Sequence, residues 1–117
     1  MAEKACERFP RNERIVRGVE YRSIYSSGTK LHSERFVLFS RVNGLTHHRL
    51  GITVSRKVGG AVVRNRIKRL FREVFRKSKT EIPHHLDLVL NAKRECAEAE
   101  YKDLREEFLC AVRKIRR

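Results

Sequence analysis

The chain has 117 residues, of which 28 are lysine or arginine and 14 are aspartate or glutamate, so its formal net charge is +14. Hydrophobic residues make up 40% of the sequence, which at this length suits the core of one domain and excludes two. Such a positive excess is typical of proteins that bind a polyanion, which leaves RNA, DNA and an anionic membrane as candidates.

The distribution of apolar and thiol side chains bears on the compartment. No apolar run approaches the roughly 20 residues of a membrane span, and the first residues lack the apolar segment of a signal peptide. The three cysteines, Cys6, Cys96 and Cys110, lie far apart without a C-x-x-C spacing, which indicates reduced thiols. We therefore expect a cytoplasmic protein that does not bind a membrane.

The first half of the chain contains one helical and two or three strand patterns. Residues 18–27 have helical spacing and end at Gly28, a common residue after a helix. A short strand is expected around Leu31, and residues 35–42 are rich in strand formers. Because Asn43-Gly44 is a strong turn signal, we predict a hairpin with residues 49–55 as its return strand.

The second half of the chain alternates between helix and strand. Residues 62–77 carry one apolar stripe, formed by Val63, Ile67, Leu70, Phe71, Val74 and Phe75. Residues 86–90 are almost continuously apolar, which indicates a central strand, and residues 95–115 again have helical spacing. The predicted fold is a single-domain α+β two-layer sandwich over residues 1–117, in the order αβββαβα, with residues 1–13 irregular.

The clearest functional signal is a basic segment. Residues 49–79 contain eleven lysines and arginines but one acid, Glu73, so salt bridges along the helix do not explain the charge. A helical projection places Asn65, Arg69, Arg72 and Arg76 opposite the apolar stripe, with Arg66, Lys68 and Lys77 beside them. Since arginine binds phosphate through two hydrogen bonds, this face suits a nucleic acid. Gly59 and Gly60 before it would let the backbone turn sharply and approach a ligand.

Residues 55–69 also resemble a known family. Their sequence, Ser55-Arg56-Lys57-Val58-Gly59-Gly60-Ala61-Val62-Val63-Arg64-Asn65-Arg66-Ile67-Lys68-Arg69, is similar to the signature of the bacterial ribonuclease P protein subunit. The similarity continues through Tyr21-x-x-Ile24-Tyr25-x-x-Gly28 and Phe36-Val37-Leu38. The sequence departs from the family at Tyr21 and Tyr25, where phenylalanine is common, and at Gly60, where a larger polar residue is common.

The resemblance implies a left-handed crossover through the basic helix, and an accessory role. The chain would bind the ribonuclease P RNA, which cleaves the 5′ leader from precursor tRNA with Mg²⁺, and would itself bind no metal and no DNA. The residues implied to contact this RNA are Arg64, Asn65, Arg66, Lys68, Arg69, Arg72 and Arg76, with Gly59 and Gly60 as the backbone loop. Those implied to contact the single-stranded leader are Tyr21, Tyr25, Phe36, Ser55, Arg56 and Lys57.

Other interpretations remain open at this point. Tyr21, Ile24 and Tyr25 share a helical face, so they form either a stacking platform for bases or part of the core. Phe39, Phe71, Phe75 and Phe108 are expected in the core. The histidines occur as His32 and the adjacent pairs His47-His48 and His84-His85, which diverge and are expected at the surface.

Two further classes of function compete with that of a ribonuclease P subunit. A free-standing RNA-binding module, such as a ribosomal protein or an RNA chaperone, would carry the same basic face. A self-sufficient nuclease would need acidic residues gathered around Mg²⁺. The acids cluster instead in residues 95–107, away from the basic segment, so we expect no catalytic residues in this chain.

Overall fold

The computed structural model describes residues 13–15, 18–82 and 85–115. Within these ranges the elements follow the order αβββαβα. They are α1 (Gly18–Ser27), β1 (Thr29–His32), β2 (Phe36–Val42), β3 (Arg49–Thr53), α2 (Ala61–Ser78), β4 (Leu86–Ala92) and α3 (Tyr101–Arg113). Two 3₁₀ turns, Lys79–Glu81 and Arg94–Glu98, follow α2 and β4. The predicted irregular residues 1–13 lie, apart from Glu13, outside the described residues.

The four strands form one mixed sheet in the order β1-β2-β4-β3. β1 pairs with β2 and β2 with β4 in antiparallel fashion, whereas β3 is parallel to β4, with α2 as the crossover between them. The central position predicted for residues 86–90 is confirmed. The left-handed sense of the crossover stays a prediction.

The predicted hairpin between residues 35–42 and 49–55 is wrong, because β4 lies between these two strands. Asn43 and Gly44 do turn the chain, with φ of 68° at Gly44, but they start a wider loop. In that loop the Asn43 side chain donates to the His47 carbonyl (3.1 Å) and to Asp87 Oδ1 (3.0 Å). The loop is thus tied to the start of β4.

One face of the sheet carries the main core, and we call it the core face. Its strand side chains pack against α2 and α3, and the largest of them are Phe36, Leu38, Leu50, Leu86, Leu88 and Leu90. From the helices come Ile67, Phe71, Phe75, Leu104 and Phe108, all fully buried. The expectation that Phe71, Phe75 and Phe108 lie in the core is therefore confirmed.

The last helix is shorter than the predicted range 95–115. A 3₁₀ turn ends at Glu98, and α3 begins after Glu100. The Glu100 side chain accepts a hydrogen bond from the backbone N–H of Asp103, the third residue of the helix. In return, the Asp103 side chain accepts one from the Glu100 backbone N–H (3.1 Å). This reciprocal cap starts a new helix inside what reads as one helical pattern.

The opposite face of the sheet, which we call the groove face, is covered by α1 alone. Its buried cluster is small: Ile15, Ile24 and Val89, with Tyr21 and Phe39 partly buried against them. Ile24 is the buried residue of α1. Because one helix does not span four strands, part of this face stays open beside α1.

His48 is buried, contrary to the expectation of a surface histidine. Its Nδ1 accepts a hydrogen bond from the Leu86 backbone N–H (3.2 Å), which ties the start of β3 to the start of β4. Burial, followed by the neighbouring His85, lowers the pKa of His48 to about 4. The imidazole is therefore neutral at physiological pH.

Candidate nucleic-acid interface

The outer face of α2 presents the cationic side chains that the sequence predicts. Asn65, Arg69 and Arg72 are exposed, and Lys68 is half-buried. Among the described residues none of these four has an ion pair or a side-chain hydrogen bond. An arginine whose donors are unpaired keeps its whole fork available to a phosphate. The middle of α2 is therefore open to an anionic ligand.

Two predicted contact residues are instead engaged within the protein. Arg66 donates to the backbone carbonyls of Ala99 (2.7 Å) and Ala97 (3.4 Å), which fixes α2 against the turn before α3. Arg76 forms two hydrogen bonds with Glu73, at 3.0 and 2.9 Å, and they lower the pKa of that carboxyl group. Part of the predicted cationic face therefore contributes to the fold and to local charge balance.

Arg64 stands at the start of this face and is half-buried. Its Nε is buried with no hydrogen-bond partner among the described residues. An unpaired buried donor is costly unless a ligand supplies the acceptor. This side chain is therefore consistent with a place at an interface.

The loop that leads into α2 is a tight turn. The Val58 N–H donates to the Ser55 carbonyl (3.1 Å), and the buried Val58 side chain anchors the turn, while Ser55, Arg56 and Lys57 are exposed. Thr53, two residues earlier, is paired in register with Asn91 on β4. The exposed loop therefore lies at the end of the sheet that carries Asn91.

The two glycines of the loop differ from the prediction of a special backbone conformation. Gly60 has φ of −72° and ψ of 179°, which any residue adopts, and a Cβ there would meet nothing within 4 Å. Gly59 is constrained by space, since a Cβ would lie 3.0 Å from the side chain of Val63. Gly60 caps α2 without a side-chain hydrogen bond, so the first N–H groups of the helix are not capped by a side chain.

The groove face brings aromatic side chains together beside α1. The Tyr25 ring meets the Phe39 ring edge to face, with centroids 4.7 Å apart, and the residue Tyr25 is 37% exposed. Its hydroxyl donates to Asn91 Oδ1 (3.0 Å), which fixes the ring over β4. Lys30 Nζ lies 5.7 Å from the Phe39 centroid. An exposed ring held rigidly with a cation nearby suits the stacking of an unpaired base.

Phe36, predicted to bind the leader, lies on the wrong face. It is fully buried against Phe71, with centroids 5.5 Å apart. Successive strand residues point to opposite faces, so Phe39 takes the place in the groove that the sequence reading gave to Phe36. The expectation that Phe39 belongs to the core was accordingly wrong in part: it packs on the small cluster under α1 and remains partly exposed.

Tyr21 lies deeper than Tyr25, with the two centroids 6.3 Å apart. Its hydroxyl covers Gly51, where a Cβ would fall 2.5 Å from the phenolic oxygen. Burial, and then Tyr25, raise the Tyr21 pKa, while a hydrogen bond with the Ile52 backbone lowers it in part. Tyr21 therefore fits both interpretations left open by the sequence: it packs on the sheet as a core residue does, and it borders the groove.

The groove and the cationic face meet at the edge strand β3. A pocket of about 220 Å³ is lined there by Tyr21 and Gly51 together with Arg14, Lys68 and Arg72. Arg14 forms a parallel bridge with Leu50, which places residues 14 and 15 along this edge. Arg14 was missed from the sequence, because nothing in a polar N-terminal stretch marks one arginine among several.

Metal ligands and membrane spans were also sought in the described ranges. There, no group of three or more histidine, cysteine, aspartate or glutamate side chains is placed to hold a metal ion. In the same ranges no helix has the length and apolar character needed to cross a membrane.

Comparison with known proteins agrees with this geometry. The family model of ribonuclease P matches residues 9–116. A ribonuclease P protein component from Desulfovibrio desulfuricans is 42% identical over 113 residues, which cover 93% of this chain and 87% of the relative. The chain belongs to the ribonuclease P protein family.

Solved structures of ribonuclease P proteins share its fold. The protein from Thermotoga maritima superposes with a TM-score of 0.80 at 34% identity, covering 87% of this chain and 96% of that one. The protein from Staphylococcus aureus gives 0.77 at 34% identity, covering 88% and 94%. The predicted α+β fold, the family and the role of a ribonuclease P subunit in tRNA 5′ processing are thereby confirmed. The alternative of a ribosomal protein or an RNA chaperone finds no support.

Proposed function

We propose that this ribonuclease P protein binds two RNAs on two adjoining surfaces. The exposed face of α2, with Arg64, Asn65, Arg69 and the loop before it, binds the enzyme's RNA subunit. The groove between α1 and the sheet binds the 5′ leader of precursor tRNA. The observation that carries the proposal is the pocket at β3, where Lys68 and Arg72 of α2 line the same cavity as Tyr21 of α1.

The groove is suited to a single strand rather than a duplex. Unpaired bases expose their faces, and aromatic rings stack on them with little regard for sequence. Tyr25 and Phe39 offer such a ring pair, while Lys30, Arg56 and Lys57 supply charges for the phosphates. Mature tRNA has no leader, so the groove favours precursor over product.

In this proposal the RNA partner carries out hydrolysis with Mg²⁺, and the protein supplies no catalytic group. Its contribution is electrostatic: each lysine or arginine that pairs with a phosphate reduces the repulsion between the two RNAs. The requirement for divalent ions should then fall when the protein is present.

A reconstitution experiment tests this division of labour. Precursor tRNA is incubated with the protein, the RNA subunit, both or neither, over a series of Mg²⁺ concentrations. We expect no cleavage by the protein alone and efficient cleavage by the pair at low Mg²⁺. Specific 5′ cleavage by protein that has been treated with ribonuclease and repurified would contradict the proposal.

A binding experiment tests the leader site. In the complex with the RNA subunit, Tyr25→Ala should cost about 1–3 kcal/mol of affinity for a precursor with an eight-nucleotide leader, because one stack is lost. Affinity for mature tRNA should change little. The matched control is Tyr101→Ala, which removes a half-buried tyrosine from α3, on the other side of the sheet. Equal losses for leaders of one and eight nucleotides would show that the leader does not stack on Tyr25.

A further inference from the structure

A network of charged side chains lies under one end of α1, at the opposite end of the groove face from the exposed loop. Its centre is Asp87 on β4, whose side chain is 1% exposed. Arg49 of β3 donates to both carboxylate oxygens, at 2.8 and 2.7 Å, and Arg41 of β2 adds a contact at 3.3 Å. Asn43 donates to the same carboxylate at 3.0 Å. Three sheet strands are thus joined at one buried charge.

Both arginines also reach from the sheet to α1. Arg49 Nη1 forms an ion pair with Glu20 at 2.9 Å. Arg41 Nη1 donates to the Ser23 hydroxyl and also lies 3.3 Å from the Ser27 hydroxyl. Each guanidinium therefore bridges Asp87 below and a side chain of α1 above, which uses the several donors of one planar fork. We call Asp87, Arg41, Arg49, Glu20 and Ser23 the clamp.

Apart from these polar contacts, α1 meets the sheet through Ile24, through Tyr21 over Gly51 and through Tyr25 against Phe39 and Asn91. Ile24 is the buried residue of the helix, and it packs in a cluster with Ile15 and Val89. Tyr25, the exposed ring of the groove, lies on the next turn after Tyr21, so its position over β4 follows the position of the helix. A helix with so little apolar burial depends on its polar contacts for a fixed position.

We propose that the clamp is a positioning device: through Arg41 and Arg49, Asp87 sets the place of α1 over the sheet and so the width of the leader groove. The clamp itself touches no RNA. It acts through the placement of Tyr21 and Tyr25, so the inference rests on the proposed leader site. Asp87 is then a specificity-determining residue, because a misplaced α1 weakens leader binding while α2 continues to bind the RNA subunit.

The test uses substitutions on α1, because Asp87→Asn would leave two arginines over a neutral centre and could impair folding. Glu20→Gln with Ser23→Ala removes the ion pair of Arg49 with α1 and the shorter of the two hydroxyl contacts of Arg41, so that Ser27 alone is left to Arg41 on α1. Asp87 stays paired with both arginines. The matched control is Glu95→Gln with Ser26→Ala, which makes the same chemical changes at exposed positions. Ser26 lies on α1 but bonds only the Ser23 carbonyl among the described residues.

Four quantities are measured for both variants: the affinities for precursor, for mature tRNA and for the RNA subunit, and the hydrogen exchange of the backbone amides. Affinity for a precursor with an eight-nucleotide leader should fall roughly five- to tenfold in the clamp variant, because one ion pair and one charge-assisted hydrogen bond are lost. Affinity for mature tRNA and for the RNA subunit should stay within about twofold, as should all values for the control. Hydrogen exchange of the α1 amides should quicken severalfold while exchange in β4 is unchanged.

The outcomes separate the clamp from the leader site. If Tyr25→Ala weakens precursor binding and the clamp variant does not, the inference is overturned and the leader site stands. If neither variant affects precursor binding, the leader site itself is wrong, and the clamp inference falls with it. A clamp variant that loses affinity equally for precursor, mature tRNA and RNA subunit would show general destabilisation and would also overturn the inference.

Discussion

On the core face of the sheet, α2 and α3 bury large apolar side chains such as Phe36 and Phe71. On the groove face, the buried apolar cluster of the described residues consists of Ile24 of α1 with Ile15 and Val89, and beside it lies a carboxylate with two arginines. One face excludes water and fixes the fold, whereas the other leaves an aromatic ring and several cations accessible. A surface that binds RNA must keep such groups unburied, so the face with the poorer packing is the one suited to function.

Removing one phenylalanine from each face should affect stability on the core face and RNA affinity on the groove face. Phe36→Ala should lower the free energy of unfolding by about 3–5 kcal/mol, because it leaves a cavity in a close-packed core. Phe39→Ala should cost less stability, because the Phe39 ring is partly exposed. It should lower precursor affinity by about 1–3 kcal/mol, because the ring that packs against Tyr25 is lost. Urea unfolding and leader-length binding series measure the two effects.

The two substitutions control for each other. Phe36→Ala should leave RNA affinity per folded molecule unchanged, which is measured at a temperature where the variant is fully folded. If Phe39→Ala proves the more destabilising of the two, or if Phe36→Ala alters leader discrimination, the assignment of core and groove faces is reversed.

Much of the fold follows from local sequence, and the failures have physical causes. The helical spacing of residues 18–27 and the apolar stripe of α2 depend on neighbours a turn away, so both helices were predicted closely. The pairing of β2 with β4 joins residues about fifty positions apart, and no local pattern shows that β4 separates β2 from β3. Asn43-Gly44 correctly predicted a turn after β2, but it did not show that β2 pairs with β4 rather than with β3.

The functional residues divide in the same way. The open face of α2 follows from helical geometry, since Asn65, Arg69 and Arg72 lie opposite the stripe. In β2 both faces carry apolar residues, so alternation alone does not show whether Phe36 or Phe39 faces the groove. Arg66 was assigned to RNA because no local pattern shows its bonds to the carbonyls of Ala97 and Ala99, which lie about thirty residues further along the chain.

The two regions also differ in how their buried ionisable groups respond to pH. His48 lies against Phe75, on the side of α2, and its pKa is lowered to about 4 chiefly by burial. Its unfolded pKa is near 6.5, so below that pH the unfolded chain binds a proton that the folded chain does not. Stability should therefore fall by up to about 3 kcal/mol between pH 6.5 and 4.

Burial alone would raise the pKa of Asp87, but hydrogen bonds from Arg49, Asn43 and Arg41 hold it below its usual value. The stability that ionised Asp87 adds to the folded protein is therefore present above pH 3.9, the usual pKa of aspartate in an unfolded chain. It is lost only at lower pH. His48→Asn, whose Oδ1 can accept from the Leu86 N–H, should flatten the stability profile between pH 6.5 and 4 without affecting the more acidic part. Parallel profiles for the two proteins over that interval would contradict the prediction.

The smallest effects should separate cations that serve the fold from those that serve RNA. Arg69→Gln removes an exposed guanidinium that has no partner in the part of the chain that the structure describes. It should reduce the slope of log K against log salt for the RNA subunit by about 0.7–0.9, with stability within about 0.5 kcal/mol. Arg66→Gln changes the charge equally but also breaks the bonds to Ala97 and Ala99. It should lower the free energy of unfolding by about 1–2 kcal/mol, because two partly buried carbonyls lose their donor. Salt titrations and urea unfolding of both variants decide the matter: Arg66 belongs to the RNA contact if its substitution reduces the salt slope as much as that of Arg69 and leaves stability unchanged.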